Sequence, residues 1–351
     1  MSTGGEVRSR SRVVVAGREA RADTIRIVAT LWAVVLVFAV VTLVRSEQVG
    51  IPLRDPGGRM FRGRLTSAVV LLVVLAVGAA LVGAVRSGWT WRAPFEQLRA
   101  SWPVRRVAMV ASGLLAYHVV YICYRNLKSW DAFNSSRDGD LLALEKAVFL
   151  GHSPAVLLHD LLGDHTAAYV LAAIYKSFTY LVPLSVVGSL ALIPRVREAY
   201  VFLCSAVWVW ILGVCSYYLV PTLGPFASAP GDFADLARTG ITATQAEYLT
   251  QRGHLLAEPT AGDAFASISA FASLHVGFTC MVLLMARYYR WRRTTIALAV
   301  YLGAVMVSTV YFGWHFVVDD VAGVLLACAA VFLGSRMVYP RGRPPDPESR
   351  A

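Results

Sequence analysis

The sequence predicts an all-α protein, a polytopic bundle of about eight membrane-spanning helices. Three observations carry that prediction. Of 351 residues, 57% are hydrophobic and only 16% are charged, against about 45–50% and about 25% in soluble domains. The apolar residues gather in runs of membrane-spanning length, which means roughly 20 residues with few charges. The basic residues are shared unequally between the segments that join those runs. Such a composition excludes a soluble enzyme and a disordered chain.

The runs lie at about 24–45, 66–86, 107–124, 168–193, 199–220, 271–286, 294–312 and 316–338, the sixth and seventh being short. The first follows twenty-odd polar residues and precedes no small-residue cleavage site, so it reads as a retained helix and not a removable signal. Twenty basic residues fall on one side, in the N-terminal tail, the 87–106 loop, Arg195 and Arg197, the Arg287–Arg293 cluster and the C-terminal tail. Eleven fall on the other side, over much longer loops, while Arg26 and Lys176 lie inside spans. The basic-inside bias puts both termini in the cytoplasm, as an even number of spans requires. Segments 46–65, 125–167 and 221–270 then face outward. Within the second, Pro154 to Leu162 is apolar but too short to cross, so it is expected to lie in the interface or to re-enter. The third is long, holds Pro221, Pro225, Pro230 and Pro259, and suits a lid. The Arg- and Pro-rich C-terminal tail reads as disordered.

The net charge of +11 therefore records topology and contacts with anionic lipids, not nucleic acid. The five cysteines, Cys123, Cys204, Cys215, Cys280 and Cys328, form no CxxC pair and read as small apolar fillers.

Chemistry is signalled at the outer ends of the sixth and eighth spans. One carries Ser273-Leu274-His275, the other Ser308-Thr309 followed by His315 and Asp319. A spacing of four on a helix puts His315 and Asp319 on one face. Asp319 then accepts a hydrogen bond from one ring nitrogen and leaves the other as a lone-pair nucleophile or base. Asp320 is turned about 100° away and is left out of the site. An ionisable group entering a span costs about 2.5–3.5 kcal/mol and marks a functional site by default; a carboxylate capping a helix start is the plainer reading of Asp319 alone. Ser273 opens its span where free N–H groups favour an anion, a role compatible with simple N-capping. His152, His159 and His165, at spacings of seven and six, fit no zinc pattern. His254 falls in the polar outer loop, and His118 inside the third span reads as a buried hydrogen-bonded residue. No metal site and no cofactor are expected.

The pattern Ser273-Leu274-His275, then Ser308-Thr309-x5-His315-x3-Asp319 with Ala322-Gly323, resembles the type 2 phosphatidic acid phosphatase superfamily. That family carries Pro-Ser-Gly-His and Ser-Arg-x5-His-x3-Asp blocks. Leu274 in place of Gly and Thr309 in place of Arg resemble the branch of fungal inositol phosphorylceramide synthases (inositolphosphotransferases) and their bacterial relatives. Tyr124-Arg125-Asn126-Leu127-Lys128 and Pro221-Thr222-Leu223-Gly224-Pro225 are similar to two further elements of the bacterial branch.

The resemblance covers about 107–338 and implies a six-helix phosphatase-like core. The two N-terminal spans within 24–106 are then an addition, between a basic cytoplasmic tail, 1–23, and a disordered cytoplasmic tail, 339–351. It further implies an enzyme of the cell membrane working at the outer face through a phosphohistidine. His315 attacks the phosphorus of a lipid phosphate or phosphodiester, Asp319 orients it, and His275 protonates the leaving oxygen and then activates the acceptor. The acceptor is water or an alcohol, a polyol or a lipid. Lys128 and Arg125 clamp the phosphoryl oxygens, and Ser273 donates to them. Lys176 is a second clamp or else a snorkelling, helix-paired lysine. The alternatives are a strict lipid-phosphate phosphatase using water and, in another class, a transporter with a His/Asp relay. With His315 neutral and His275 protonated, activity is expected to fall on both flanks of a bell-shaped pH profile.

Overall fold

The computed structural model describes residues 3–342, with side chains described from Ala22 onward. The tail arginines Arg8, Arg10, Arg12, Arg18 and Arg21, and the tail from residue 343, lie outside the residues so described. In chain order the helices are α1 (Thr3–Val49), α2 (Arg64–Arg86), α3 (Ala93–Ser101), α4 (Val104–Trp130), α5 (Asp138–Val148), α6 (Pro154–Leu162) and α7 (Thr166–Leu192). They continue with α8 (Val196–Leu219), α9 (Pro225–Ser228), α10 (Gly240–Ala257), α11 (Leu274–Tyr288), α12 (Arg292–Tyr311) and α13 (Val317–Val338). No strand occurs among the described residues. Seven helices are long and apolar enough to cross a membrane, and α11 is a shorter apolar helix in the position of the sixth span. The protein is an all-α, multi-pass membrane bundle.

The centre of the bundle is α8. Its buried residues run all the way round, from Tyr200, Leu203 and Cys204 to Trp210, Ile211 and Val214, as expected of a helix apolar on every side. It packs against α4, α7, α11 and α13. By contrast, α1 buries one stripe, Ile27, Leu31, Val35 and Phe38, and exposes Leu36, Val37 and Val40. The buried spacing of four, four and three is that of a helix lying along a neighbour, here α4. α2 likewise buries only Ala68, Ala76, Ala80 and Ala84. These two helices are peripheral to the other six. Arg26, inside the first span, is satisfied by the Met337 and Val338 carbonyls at 3.1 and 3.0 Å, so it caps the C-terminal end of α13.

Close backbone contact sets the register between α11 and α13. A Cβ on Gly323 would fall 2.5 Å from the Ser273 carbonyl oxygen, and one on Gly277 would fall 3.2 Å from that of Gly323. Small residues allow such contact where lipid supplies no hydrophobic drive between helices.

Several boundaries differ from the sequence expectation. The third span runs on to Trp130, so Tyr124 to Lys128 form the last turns of α4 and not the start of an outer loop. Their polar side chains look like a span's end, but Tyr124, Arg125 and Lys128 face a cavity inside the protein, and Asn126 bonds to the Arg54 backbone. The 221–270 segment contains the 18-residue α10, opened by a capping box at Thr239 and Thr242. Tyr339, assigned to a disordered tail, is buried and donates from its hydroxyl to Glu198 at 2.6 Å. Pro154–Leu162 does form a helix too short to cross, α6, packed against α12.

Candidate active site

At one end of the bundle the C-terminal ends of α4, α8 and α12 meet the N-terminal ends of α11 and α13, with α7 alongside. They enclose a cavity of about 500 Å³ whose wall includes Arg125, Lys128, Lys176, His275 and His315. Five of the seven residues expected at the site thus share one cavity. Asp319 lies directly behind His315, and Ser273 lies outside the wall.

The His315–Asp319 pair is built differently from the sequence expectation. His315 is not on a helix. It belongs to the turn between α12 and α13, and Asp319 sits in the first turn of α13. Asp319 Oδ2 accepts from the Phe316 backbone N–H at 3.0 Å and lies 3.4 Å from His315 Nδ1. The carboxylate caps the free amides of a helix start and holds the imidazole at the same time. The spacing of four brings them together through N-cap geometry, with Phe316 as the extended N-cap residue between them, after a turn at Gly313, whose φ is +66°. Asp319 is wholly buried and its Oδ1 has no partner. The Ala270 carbonyl is a further hydrogen-bonding neighbour of the His315 ring. Burial, reinforced by the positive charge of Lys128, pushes the His315 pKa down to about 3, so the ring is neutral near pH 7.

His275 is the second residue of α11. Its ring is stacked on Tyr175 at 4.2 Å and tilted against Phe178 at 4.3 Å, both from α7. The two histidine rings stand 6.2 Å apart, centre to centre. Tyr175 is also parallel to Trp314 at 5.8 Å, and Tyr248 from α10 packs on Trp314 at 5.9 Å. An aromatic frame therefore fixes His275 and, through Trp314, ties it to α10.

The basic residues come from two directions. Arg125 donates to Ser267 Oγ at 3.0 Å, with its guanidinium 5.5 Å from the Phe265 ring centre. Lys128 Nζ lies 5.2 Å from the Tyr217 ring centre and makes no ion pair among the described residues. Lys176 approaches the first residue of α10, where a Cβ on Gly240 would overlap its ammonium. No carboxylate belongs to the cavity wall.

Ser273 is fully buried. It is the N-cap of α11, its hydroxyl facing the Val276 N–H at 3.5 Å, and its capping role keeps it out of the cavity. Asp320, set aside in the sequence reading, is buried and accepts from Thr309 Oγ1 at 2.9 Å and from Ser273. It joins the starts of α11 and α13 to the end of α12. Thr309, in the position of a family arginine, is thus turned to a carboxylate and not to the cavity.

Other positioning residues carried no signal in the sequence. Glu145 Oε1 accepts from the Val317 N–H at 2.8 Å, pinning the start of α13 from α5. Asp138 accepts from the Leu223 and Gly224 amides, and the Phe226 N–H donates to Gly313 at 3.0 Å. The Pro221–Pro225 turn is thereby clamped against the His315 turn. Ser269 Oγ donates to Asp131 at 2.8 Å, holding the segment that leads into α11.

Three further histidines are engaged elsewhere. His118 meets the Leu114 carbonyl at 2.7 Å, His159 the Tyr311 carbonyl at 2.8 Å, and His254 pairs with Asp263 at 3.2 Å. Among the described residues no group of three or more His, Cys, Asp or Glu side chains is arranged to hold a metal ion.

The fold is that of a polytopic membrane protein, with a cavity faced by two histidines at one end of the bundle. A family model described as the PAP2 superfamily matches residues 139–333. That is more than half of the chain, and the chain belongs to this superfamily. No curated protein and no solved structure matches it.

Proposed function

We propose that this protein transfers the phosphoryl-bearing group of a membrane lipid phosphate or phosphodiester through a phosphohistidine on His315. The observation that carries the reading is the pair of histidines facing one cavity, with a buried carboxylate behind one of them and three cations in the same wall. The ring nitrogen of His315 turned away from Asp319 attacks phosphorus, and the bond from phosphorus to the lipid oxygen breaks. His275 donates its proton to that oxygen. It then takes a proton from the acceptor, whose oxygen displaces His315 and closes the cycle. Arg125, Lys128 and Lys176 hold the phosphoryl oxygens as charge builds on them.

The acceptor is an alcohol in our reading, as in the inositolphosphotransferase-like branch that Leu274 and Thr309 resemble. α10 covers the cavity and supplies Ile241, Thr244 and Tyr248 to its wall, which suits exclusion of water. The charge bias of the loops supports an outward-facing site with both termini cytoplasmic.

The test uses a panel of lipid phosphates and phosphodiesters, with and without inositol or other polyols, on wild type and His315→Ala. Phosphate release and headgroup exchange are scored together, in detergent and in sealed right-side-out vesicles. Turnover that is lost in the variant, yields the polyol ester and needs no detergent is the expected result. Equal activity in both proteins overturns the mechanism, free phosphate alone overturns the alcohol acceptor, and turnover only after detergent overturns the outward site.

A further inference from the structure

At the opposite end of the bundle lies a second and larger cavity, of about 880 Å³. It is bounded by α2, α3, the start of α4 and the turn between α7 and α8. Its polar wall holds Arg105, Arg106, Arg195 and Arg197 against one carboxylate, Glu198. That carboxylate is occupied, since its two oxygens accept from the Tyr288 and Tyr339 hydroxyls at 2.5 and 2.6 Å. Two of the arginines are structural. Arg106 caps α7 by donating to the carbonyls of Leu190, Ala191, Ile193 and Pro194, and it stacks on Trp102 at 4.8 Å. Arg197 pairs with Asp23 at 3.0 Å. Arg195 is different. It is exposed, and no hydrogen bond or ion pair of its side chain occurs among the described residues. The other wall is apolar, formed by Ala76, Ala79 and Ala80 of α2 with Leu192.

With Arg105 bonded to the Thr24 hydroxyl, Arg106 to carbonyls and Arg197 to Asp23, the exposed Arg195 beside an apolar wall is the group that suits a lipid with an anionic head. We infer that the cavity binds one anionic phospholipid of the leaflet opposite to the candidate active site, its phosphate on Arg195 and its glycerol and upper acyl carbons along α2. Trp102, partly buried at the rim, occupies the level at which tryptophan favours the interface. A soluble anion would leave the exposed Ala79 and Leu192 of that wall uncovered. The site is distinct from the phosphoryl-transfer cavity and does not depend on that assignment.

The test is a titration of the purified protein in detergent with dioctanoyl phosphatidylglycerol, following the thermal midpoint. Dioctanoyl phosphatidylcholine and glycerol 3-phosphate serve as comparisons. The expected result is a saturable rise with phosphatidylglycerol only. Arg195→Gln is expected to weaken it about fivefold, the worth of one basic residue at an anionic surface, and Arg99→Gln, outside the cavity, to leave it unchanged. Phosphatidylglycerol entering the active-site cavity would not depend on Arg195. Equal binding by the Arg195→Gln variant, an equal response to phosphatidylcholine or glycerol 3-phosphate, or equal weakening by Arg99→Gln overturns the assignment.

Discussion

His315 carries the sharpest consequence at the scale of single residues. Its pKa, about 3 in the fold, lies below the ordinary histidine value of about 6.5. Below pH 6.5 the unfolded chain takes up a proton at this position that the folded chain refuses. The linkage therefore costs nothing above pH 6.5 and destabilises the fold progressively as pH falls toward 3. For activity, the nucleophile stays unprotonated well into acid, so the flank of the pH profile that the sequence reading assigned to His315 moves below pH 5. Histidine-labelled protein compared with His315→Gln by nitrogen NMR is expected to show a neutral His315 ring at pH 5. A titration near pH 6.5 would contradict the burial argument. The Ser-x-His and His-x3-Asp spacings made His275, His315 and Asp319 legible in the sequence. The means of their convergence was not legible, because an N-cap and a helix face both use a spacing of four. Asp320 stays out of the cavity wall, but an angle on an ideal helix could not show that Thr309 and Ser273 come from other helices to meet it.

Among the elements, the contact of α11 with α13 decides how the two histidines face each other. Gly323→Ala places a methyl carbon against the Ser273 carbonyl oxygen, and Ser273 is two residues from His275. Overpacking of this kind costs about 1–3 kcal/mol. The expected outcome is a lower thermal midpoint with turnover reduced at least about tenfold. Gly303→Ala in α12, with nothing within 4 Å of the added carbon, is the control, and is expected to change neither by much. Equal behaviour of the two variants would show that the glycine contact does not set the register. The long apolar spans were legible from their runs alone. The end of α4 and all of α10 were not, because both carry polar residues that composition assigns to loops. Arg125 and Lys128 face a cavity within the protein, and Tyr248 of α10 reaches the site from a helix of mixed polarity.

For the molecule as a whole, six helices build the bundle, α10 adds to the wall of its cavity, and α2 and the part of α1 from Ala22 onward flank it with most of their apolar side chains exposed. The two ends of the bundle are chemically unlike. One gathers histidines and cations around an enclosed cavity with no acid in its wall, and the other presents arginines to a wider cavity beside α2 and α3. The direct test of the central claim is to trap the covalent intermediate. Wild type, His275→Ala and His315→Ala are mixed with a turned-over lipid phosphate, quenched in alkali, where phosphohistidine survives, and digested for mass spectrometry. A phosphoryl adduct on the peptide holding His315, present in wild type, absent from His315→Ala, and in His275→Ala both formed and discharged more slowly because that residue serves both steps, is the predicted result. An adduct on His275, or turnover with no adduct on either histidine in any of the three proteins, would contradict the account.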